Sequence, residues 1–390
     1  MSAGDYDLVV IGGGIHGVGA AQAAAAAGHS VLLLERAALA SGTSSRSSKL
    51  IHGGLRYLES GQLRLVRESL AERETLLRVA PDLVRLVPFH IPIYRDTVRR
   101  PWQIRLGLTL YAALGGLART TRFETVARAH WDALDGLETD GLQQVFRYRD
   151  AQTDDAALTR AVMRSAQELG AELRCPAEFL AAQRTAQGYA VRYAVAAGEA
   201  ACTARALVNA AGPWVNAVLD RITPAPAKRP VELVQGAHLV LAGTLEHGVY
   251  YVEAPRDRRA VFAMPWNGGT LIGTTETKYT GDPAAVRPLP EEIEYLRETY
   301  RRYFPRRDDR PLQSFAGVRV LPLERGAVFH RTRETLLAAD DARAPRLITI
   351  YGGKLTGYRL TAARALRRFA AALPARSPRA DTASLRLNRE

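Results

Sequence analysis

Arg56, Arg319 and Lys354 carry the most evident chemistry in this 390-residue chain. They come from three distant stretches, and each follows a strand-like run or a glycine turn that would project it into a common pocket. Converging cations suit a phosphate dianion, whereas one bidentate arginine suffices for a carboxylate. Tyr57 adjoins Arg56, and Lys49, His52, Arg56 and Tyr57 gather within nine positions around Gly53 and Gly54. Just before them, Ser41 to Ser48 is rich in small hydroxyls and glycine, as expected of a loop whose backbone lies against a ligand. His52 and His238 each offer a pKa near neutrality, the property wanted in a general base. Nothing in the sequence separates the two, and the weight falls on His52, beside the pair that frames Arg56.

The element that must position this chemistry is the stretch from Asp5 to Glu35. Leu8 to Ile11 reads as a buried parallel strand, Gly12, Gly14 and Gly17 give the spacing G-x-G-x-x-G, and Val18 to Ala27 reads as a helix ended by Gly28. Val31 to Leu34 is a second strand, closed by Glu35. Such a turn brings backbone close to a pyrophosphate, the helix N-terminus turns its N–H groups toward it, and the acid accepts from ribose hydroxyls. The ligand is a dinucleotide, and this stretch alone does not choose between FAD and NAD.

Gln62 to Val79 has the periodicity of an amphipathic helix ended by Pro81, and Pro88 to Tyr94 alternates like a strand. Pro101 to Leu117 reads as a helix, followed after an interval by a helix over Asp154 to Leu169 and strands at Ala171–Arg174, Glu178–Arg184 and Tyr189–Val195. Ala206 to Asn209 then runs through Ala210, Ala211 and Gly212 into a helix containing Trp214, a second crossover of tiny residues. Pro224, Pro226 and Pro230 mark a linker before an antiparallel sheet over Leu233–Leu241, Gly248–Val252, Ala260–Met264 and Thr270–Thr274. A helix over Pro290 to Tyr303 and a strand over Ser314 to Leu321 follow. Leu347–Tyr351, Gly352-Gly353 and Lys354–Phe369 repeat the strand, glycine turn and helix theme. Beyond Pro374 the Arg-, Ala- and Ser-rich residues 374–390 read as a disordered tail.

With 47% hydrophobic and 24% charged residues the composition is that of a soluble globular protein large enough for two domains. The apolar region Leu106 to Ala118 is shorter than the ~20 residues that span a bilayer, and no basic segment precedes Leu8 as a secretory signal would require. Cys175 and Cys202 lack disulfide-framework or metal-ligand spacing, so no metal is expected and a reducing cytoplasm fits. The net charge of +13 suits an anionic substrate or lipid surface. No nucleic-acid-binding signature accompanies it, so a nucleic-acid partner is not expected. Trp102 and the arginines 95, 99, 100, 105, 119 and 122 around the 101–117 helix fit two roles equally, an interfacial helix or a core helix with a basic rim.

IGGGIHGVGAA, TSSRSSKLIHGGLRYLE, NAAGPWVN and GGKLTGYR together resemble the FAD-dependent, respiratory-chain glycerol-3-phosphate dehydrogenases. PWQIRLGLTLY, QGAHLVL, PWNGGTLIGTTETKYTGDP and FAGVRVLPL extend the match from about Asp5 to Phe369, short of the helical C-terminal domain usual in that family. The resemblance implies an α/β fold, with a Rossmann-like, glutathione-reductase-type FAD domain interrupted by an α+β substrate domain of antiparallel sheet plus helices. It implies non-covalent FAD, oxidation of glycerol 3-phosphate to dihydroxyacetone phosphate, membrane quinone as acceptor, and a peripheral position on the inner face of the cell membrane. Arg56, Tyr57, Arg319 and Lys354 match substrate-site residues, and His52 and His238 match histidines near the flavin. Lys354 and its helix N-terminus serve the phosphate, the reduced flavin, or both. His16, Gly357, Val320 and Glu276 stand where Asn, Thr, Pro and Asp are usual.

The expected cofactor contacts are Gly12, Gly14, Gly17, Glu35 and Arg36, then Thr43, Ser44, Ser45, Ser48, Lys49 and Leu50. Ala210, Gly212, Gly353, Lys354, Leu355 and Thr356 complete them. Residues 1–80, 150–225 and 315–373 are expected to form the FAD domain, and 81–149 with 226–314 the substrate-binding, membrane-facing domain. Two other readings compete: an amine or amino-acid oxidase of the same architecture, and a flavin-binding membrane-surface protein without turnover.

Overall fold

The computed structural model describes residues 4–323 and 335–389. Two sheets dominate it, and the first is built on the glycine-rich unit. Gly4–Ile11 pairs in parallel with Val31–Leu34 on one side and Gly198–Asn209 on the other, with Leu8 opposite both Val31 and Ala206. Leu347–Tyr351 extends the parallel core beside Gly198–Asn209. Glu178–Arg184 and Tyr189–Val195 add antiparallel strands, and Glu172–Arg174 closes the other edge. Leu8, Val9, Val10 and residues 31–34 are all buried, as near-continuous apolar strands covered on both faces must be.

The helix Ile15–Ala26 starts directly at Gly14, three residues earlier than the sequence suggests. Gly12 has φ +107°, and a side chain at Gly17 would collide with the Gly12 carbonyl. Both positions therefore need glycine. The helix is buried along almost its whole length against the helices Asp155–Glu168 and Tyr358–Arg368, which explains its run of alanines.

The second sheet runs in the order Thr277–Tyr279, Val231–Leu241, Gly269–Gly273, Ala260–Trp266, Val249–Glu253, Val84–Tyr94, Leu142–Thr153 and Leu50–Ile51. It is not purely antiparallel, because Val249 and Tyr250 pair in parallel with Phe89 and His90. Pro311–Pro322 pairs with Val231–Leu241 along its length. The boundaries expected at 150 and 315 therefore fall inside strands of this sheet.

Two further expectations are corrected. The last helix is Tyr358–Arg368, so Lys354 stands in the turn before it. The segment after Pro374 is ordered: Leu387 is buried at 2% exposure among the core residues around the first helix. Its path follows carbonyls left over at helix C-termini, which need donors. Arg379 N–H donates to Ala26 O at 2.7 Å, Leu387 N–H to Val79 O at 2.6 Å, and the Arg379 guanidinium to Leu169 O. Arg376 pairs with the buried Asp7 at 3.0 Å. Residue 390 and the 324–334 part of the expected FAD domain lie outside the described residues.

Candidate active site

A cleft of about 600 Å³ opens between the two sheets, lined by Gly12 and Gly14 from the first and by His238, Tyr251, Phe262 and Arg319 from the second. The segment 41–57 crosses between them. Ser44 Oγ accepts from Ile15 N–H at 2.9 Å, at the start of the first helix, and Thr43 Oγ1 donates to Val318 O at 2.7 Å in the second sheet.

At the dinucleotide end, Glu35 is buried at 8% exposure. Its Oε2 accepts from Gly13 N–H at 2.7 Å and its Oε1 from Ala37 N–H at 2.8 Å. The carboxylate is thereby held at the cleft wall with lone pairs left for ribose hydroxyls. Arg36 lies 4.0 Å from the centroid of the Trp214 ring, and both residues line the cleft. A Cβ on Gly12 would stand 2.7 Å from Ala210 O, so the backbone of the second crossover passes close beside the glycine turn. Ala210, Gly212, Ser48, Leu50, Gly353, Leu355 and Thr356 also line the cleft. This cradle of close backbone, buried acid and helix N-terminus fits FAD.

Three expected contacts are not on the wall. Gly17 serves the packing of the turn, and Ser45 donates to Gly42 O at 3.3 Å within a short helical turn. Lys49 is turned inward with 6% side-chain exposure, its Nζ 2.7 Å from Asp155 Oδ1 and 2.5 Å from Ser45 O. The Trp266 and Phe315 rings lie 5.3 and 5.2 Å from that ammonium. Its charge is compensated in the interior, which removes it as a cofactor contact.

At the other end, the Tyr57 ring gathers two of the cations. Lys354 Nζ lies 3.6 Å and Arg56 Cζ 5.1 Å from its centroid, both within cation–π range. Arg319 Nη2 donates to Thr275 O at 2.8 Å, and Nη1 lies 3.7 Å from Glu276 Oε1. Glu276 also pairs with Arg259. Burial opposes the charge on Arg56, while Tyr57, Tyr251 and Glu276 favour it and raise its pKa, so Arg56 and Arg319 share one electrostatic neighbourhood.

Both histidines line the cleft in different settings. The His52 ring meets Phe262 edge-on with centroids 6.2 Å apart, and the His52 backbone N–H donates to Thr356 Oγ1 at 3.2 Å. His238 is 3% exposed, stacks on Phe315 at 5.0 Å and places Nε2 2.9 Å from Ser48 Oγ. Burial first, then Arg319 and Lys49, push its pKa down to about 3, so its ring is neutral. His16, lowered to about 4 by burial, packs where a side chain at Gly353 would collide with it. Tyr251 and Phe262, stacked at 5.0 Å, form an aromatic wall that the sequence did not single out. On a half-buried strand such residues read as ordinary core.

The chain matches the family described as FAD dependent oxidoreductase over residues 7–366. It is 39% identical over 373 residues to a glycerol-3-phosphate dehydrogenase of Pseudomonas tolaasii, covering 94% of this chain and 71% of that protein. It is 38% identical over 369 residues to the D-erythritol 1-phosphate dehydrogenase of Brucella abortus (strain 2308), covering 93% and 73%. Its fold superposes on the FAD-complexed glycerol-3-phosphate dehydrogenase of Bacillus halodurans with a TM-score of 0.76 and 28% identity, covering 98% of this chain and 68% of that one. The chain belongs to the FAD-dependent oxidoreductase family, in the group of the glycerol-3-phosphate dehydrogenases.

Proposed function

We propose that the chain oxidises the secondary hydroxyl of sn-glycerol 3-phosphate to the ketone of dihydroxyacetone phosphate. The observation that carries this reading is the pairing of Arg56 and Lys354 on the single Tyr57 ring, in a cleft that also holds Arg319 and the glycine turn. FAD, when bound, supplies the hydride acceptor. Glu35 would hold its ribose, and Gly12, Gly14 and the first helix its pyrophosphate.

Arg56, Arg319 and Lys354 grip the substrate phosphate. Each charge-assisted hydrogen bond contributes roughly 1.5–3 kcal/mol, so losing two costs free glycerol at least ~3 kcal/mol, more than about a hundredfold. His52 takes the hydroxyl proton. A ring held near pKa 3 is a poor base, which supports assigning His238 to hydrogen bonding with Ser48. Tyr251 and Phe262 exclude water from that end of the cleft.

The acceptor in this reading is membrane quinone, reached at an anionic lipid surface on the inner face of the membrane. Among the described residues no helix is long and apolar enough to cross a bilayer. Trp102 and Leu106, 66% and 62% exposed on the helix Pro101–Leu114, support an interfacial position. Of the arginines around this helix, Arg99 is paired with Glu59 and Glu253 and adds little attraction for lipid.

The Brucella relative favours a second reading, a longer phosphorylated polyol held by the same cations. The test is anaerobic addition of glycerol 3-phosphate, D-erythritol 1-phosphate, glycerol, sarcosine or D-alanine to the purified holoprotein, followed in the visible flavin band. Bleaching by a phosphorylated polyol is expected, and the faster of the two names the substrate. Bleaching by sarcosine or D-alanine alone would make the chain an amine or amino-acid oxidase. A band that no compound bleaches would favour a flavoprotein without turnover.

A further inference from the structure

Two carboxylates close together in the chain take no part in this chemistry, yet both hold the segment that carries it. Asp155 is fully buried and Asp150 is 1% exposed. Asp155 accepts from Ser47 N–H at 3.0 Å, Ser47 Oγ at 2.6 Å and Lys49 Nζ at 2.7 Å. Between the two acids, Leu50 and Ile51 pair with Gln152 and Ala151. Asp150 accepts from Arg73 Nη1 at 2.6 Å and Tyr111 Oη at 2.7 Å. The Gly53 N–H points between Tyr111 Oη at 2.9 Å and Asp150 Oδ1 at 3.4 Å. A side chain at Gly53 would collide with Tyr111 and Leu70, so the turn is seated directly on this network.

Burying an ion pair is costly, and hydrophobic residues of similar volume often stabilise as well. Stability alone therefore accounts poorly for two buried acids. What they share is the stretch 47–53, gripped at both ends and paired in the middle, which leads straight into His52, Arg56 and Tyr57. We propose that Asp150, acting through Tyr111 and Gly53, and Asp155, acting through Ser47 and Lys49, are positioning residues that set His52 and Arg56 at the cleft. The inference rests on the substrate reading given above.

Tyr111→Phe keeps the buried ring and removes only the hydroxyl between Gly53 and Asp150. In the holoenzyme it should leave FAD content unchanged and lower kcat/KM for glycerol 3-phosphate roughly tenfold to a hundredfold, the scale of a small misplacement. In an Arg56→Ala background the same substitution should lower kcat/KM by a smaller factor, because the share acting through Arg56 is already lost and only that through His52 remains. Amide exchange should quicken in residues 52–58 and stay unchanged in the helix Ile15–Ala26. Equal losses in both backgrounds, or unchanged exchange at 52–58, would overturn the proposal. Should Tyr111→Phe not fold, Asp150→Asn, which keeps an acceptor for Gly53, carries the same three measurements. The exchange readout needs no substrate, so a holoenzyme that fails to oxidise phosphorylated polyols would refute the substrate reading without deciding the positioning role.

Discussion

Arg319→Ala tests the phosphate grip most directly. The guanidinium is fixed by Thr275 O at 2.8 Å and Thr274 Oγ1 at 3.3 Å, and its side chain is 23% exposed, so substrate meets a pre-oriented, partly shielded charge. Removing it deletes one charge-assisted contact, about 1.5–3 kcal/mol, or roughly 10- to 150-fold in kcat/KM. Glu276, still paired with Arg259, then faces the phosphate with one cation fewer, which places the loss toward the upper end. Arg319→Lys keeps the charge but not the planar fork, and should lose less than the alanine variant. The assay is dye-coupled turnover with glycerol 3-phosphate and with glycerol, beside FAD content from the visible band. Glycerol turnover should stay within a factor of about three, because the group Arg319 holds is missing from it. An equal fall on both compounds, or loss of FAD, would refute the reasoning.

Replacing Trp102 and Leu106 together by Ser should weaken binding to anionic vesicles by on the order of 2 kcal/mol, about thirtyfold; binding indifferent to the change would remove this helix as the anchor. His90 and His238 are lowered from 6.5 to about 4 and about 3, chiefly by burial, so below pH 6.5 the unfolded chain takes up protons that the native chain refuses. Their contribution to stability is complete above pH 6.5 and is lost as pH falls toward those values, about 4 kcal/mol for the pair by pH 5. Urea midpoints that match at pH 7 and pH 5 would contradict this. Leu387→Ala should destabilise by about 2–5 kcal/mol, as for other buried leucines, and a change within ~0.5 kcal/mol would mean the C-terminal segment is not packed in solution.

The glycine-rich unit was legible because its constraints are local. A positive φ, a helix start and a two-sided apolar strand each leave a mark within a few residues of Gly12. The same holds for Gly353, where the strand Leu347–Tyr351 was read with its observed bounds. Lys49 was misread because the acid that claims it lies over a hundred positions away, and a lysine among serines looks like a ligand contact. The C-terminal segment was misread for a related reason. Its order comes from carbonyls at the ends of three other helices and from a single leucine, none of which composition records. The strand Leu142–Thr153 was not assigned at all, since outward-facing Arg147 and Arg149 break its apolar run. Its pairing with Val84–Tyr94, and the parallel pairing of that strand with Val249–Glu253, are tertiary facts.

The cations of the site are held in two ways, and the difference bears on how they bind an anion. Arg319 has a carboxylate neighbour, but Glu276 is shared with Arg259, so its negative charge is not given to Arg319 alone. Arg56 and Lys354 both meet the face of Tyr57, and Glu276 also favours the charge on Arg56. An aromatic face attracts a cation by roughly 0.5–2 kcal/mol without placing a full negative charge beside it. A carboxylate in the place of Tyr57 would hold the same two cations more tightly and would repel a phosphate brought to them. The ring therefore draws the two positive charges together without adding a negative charge of its own, which suits a site that would prefer a phosphorylated alcohol over its parent alcohol.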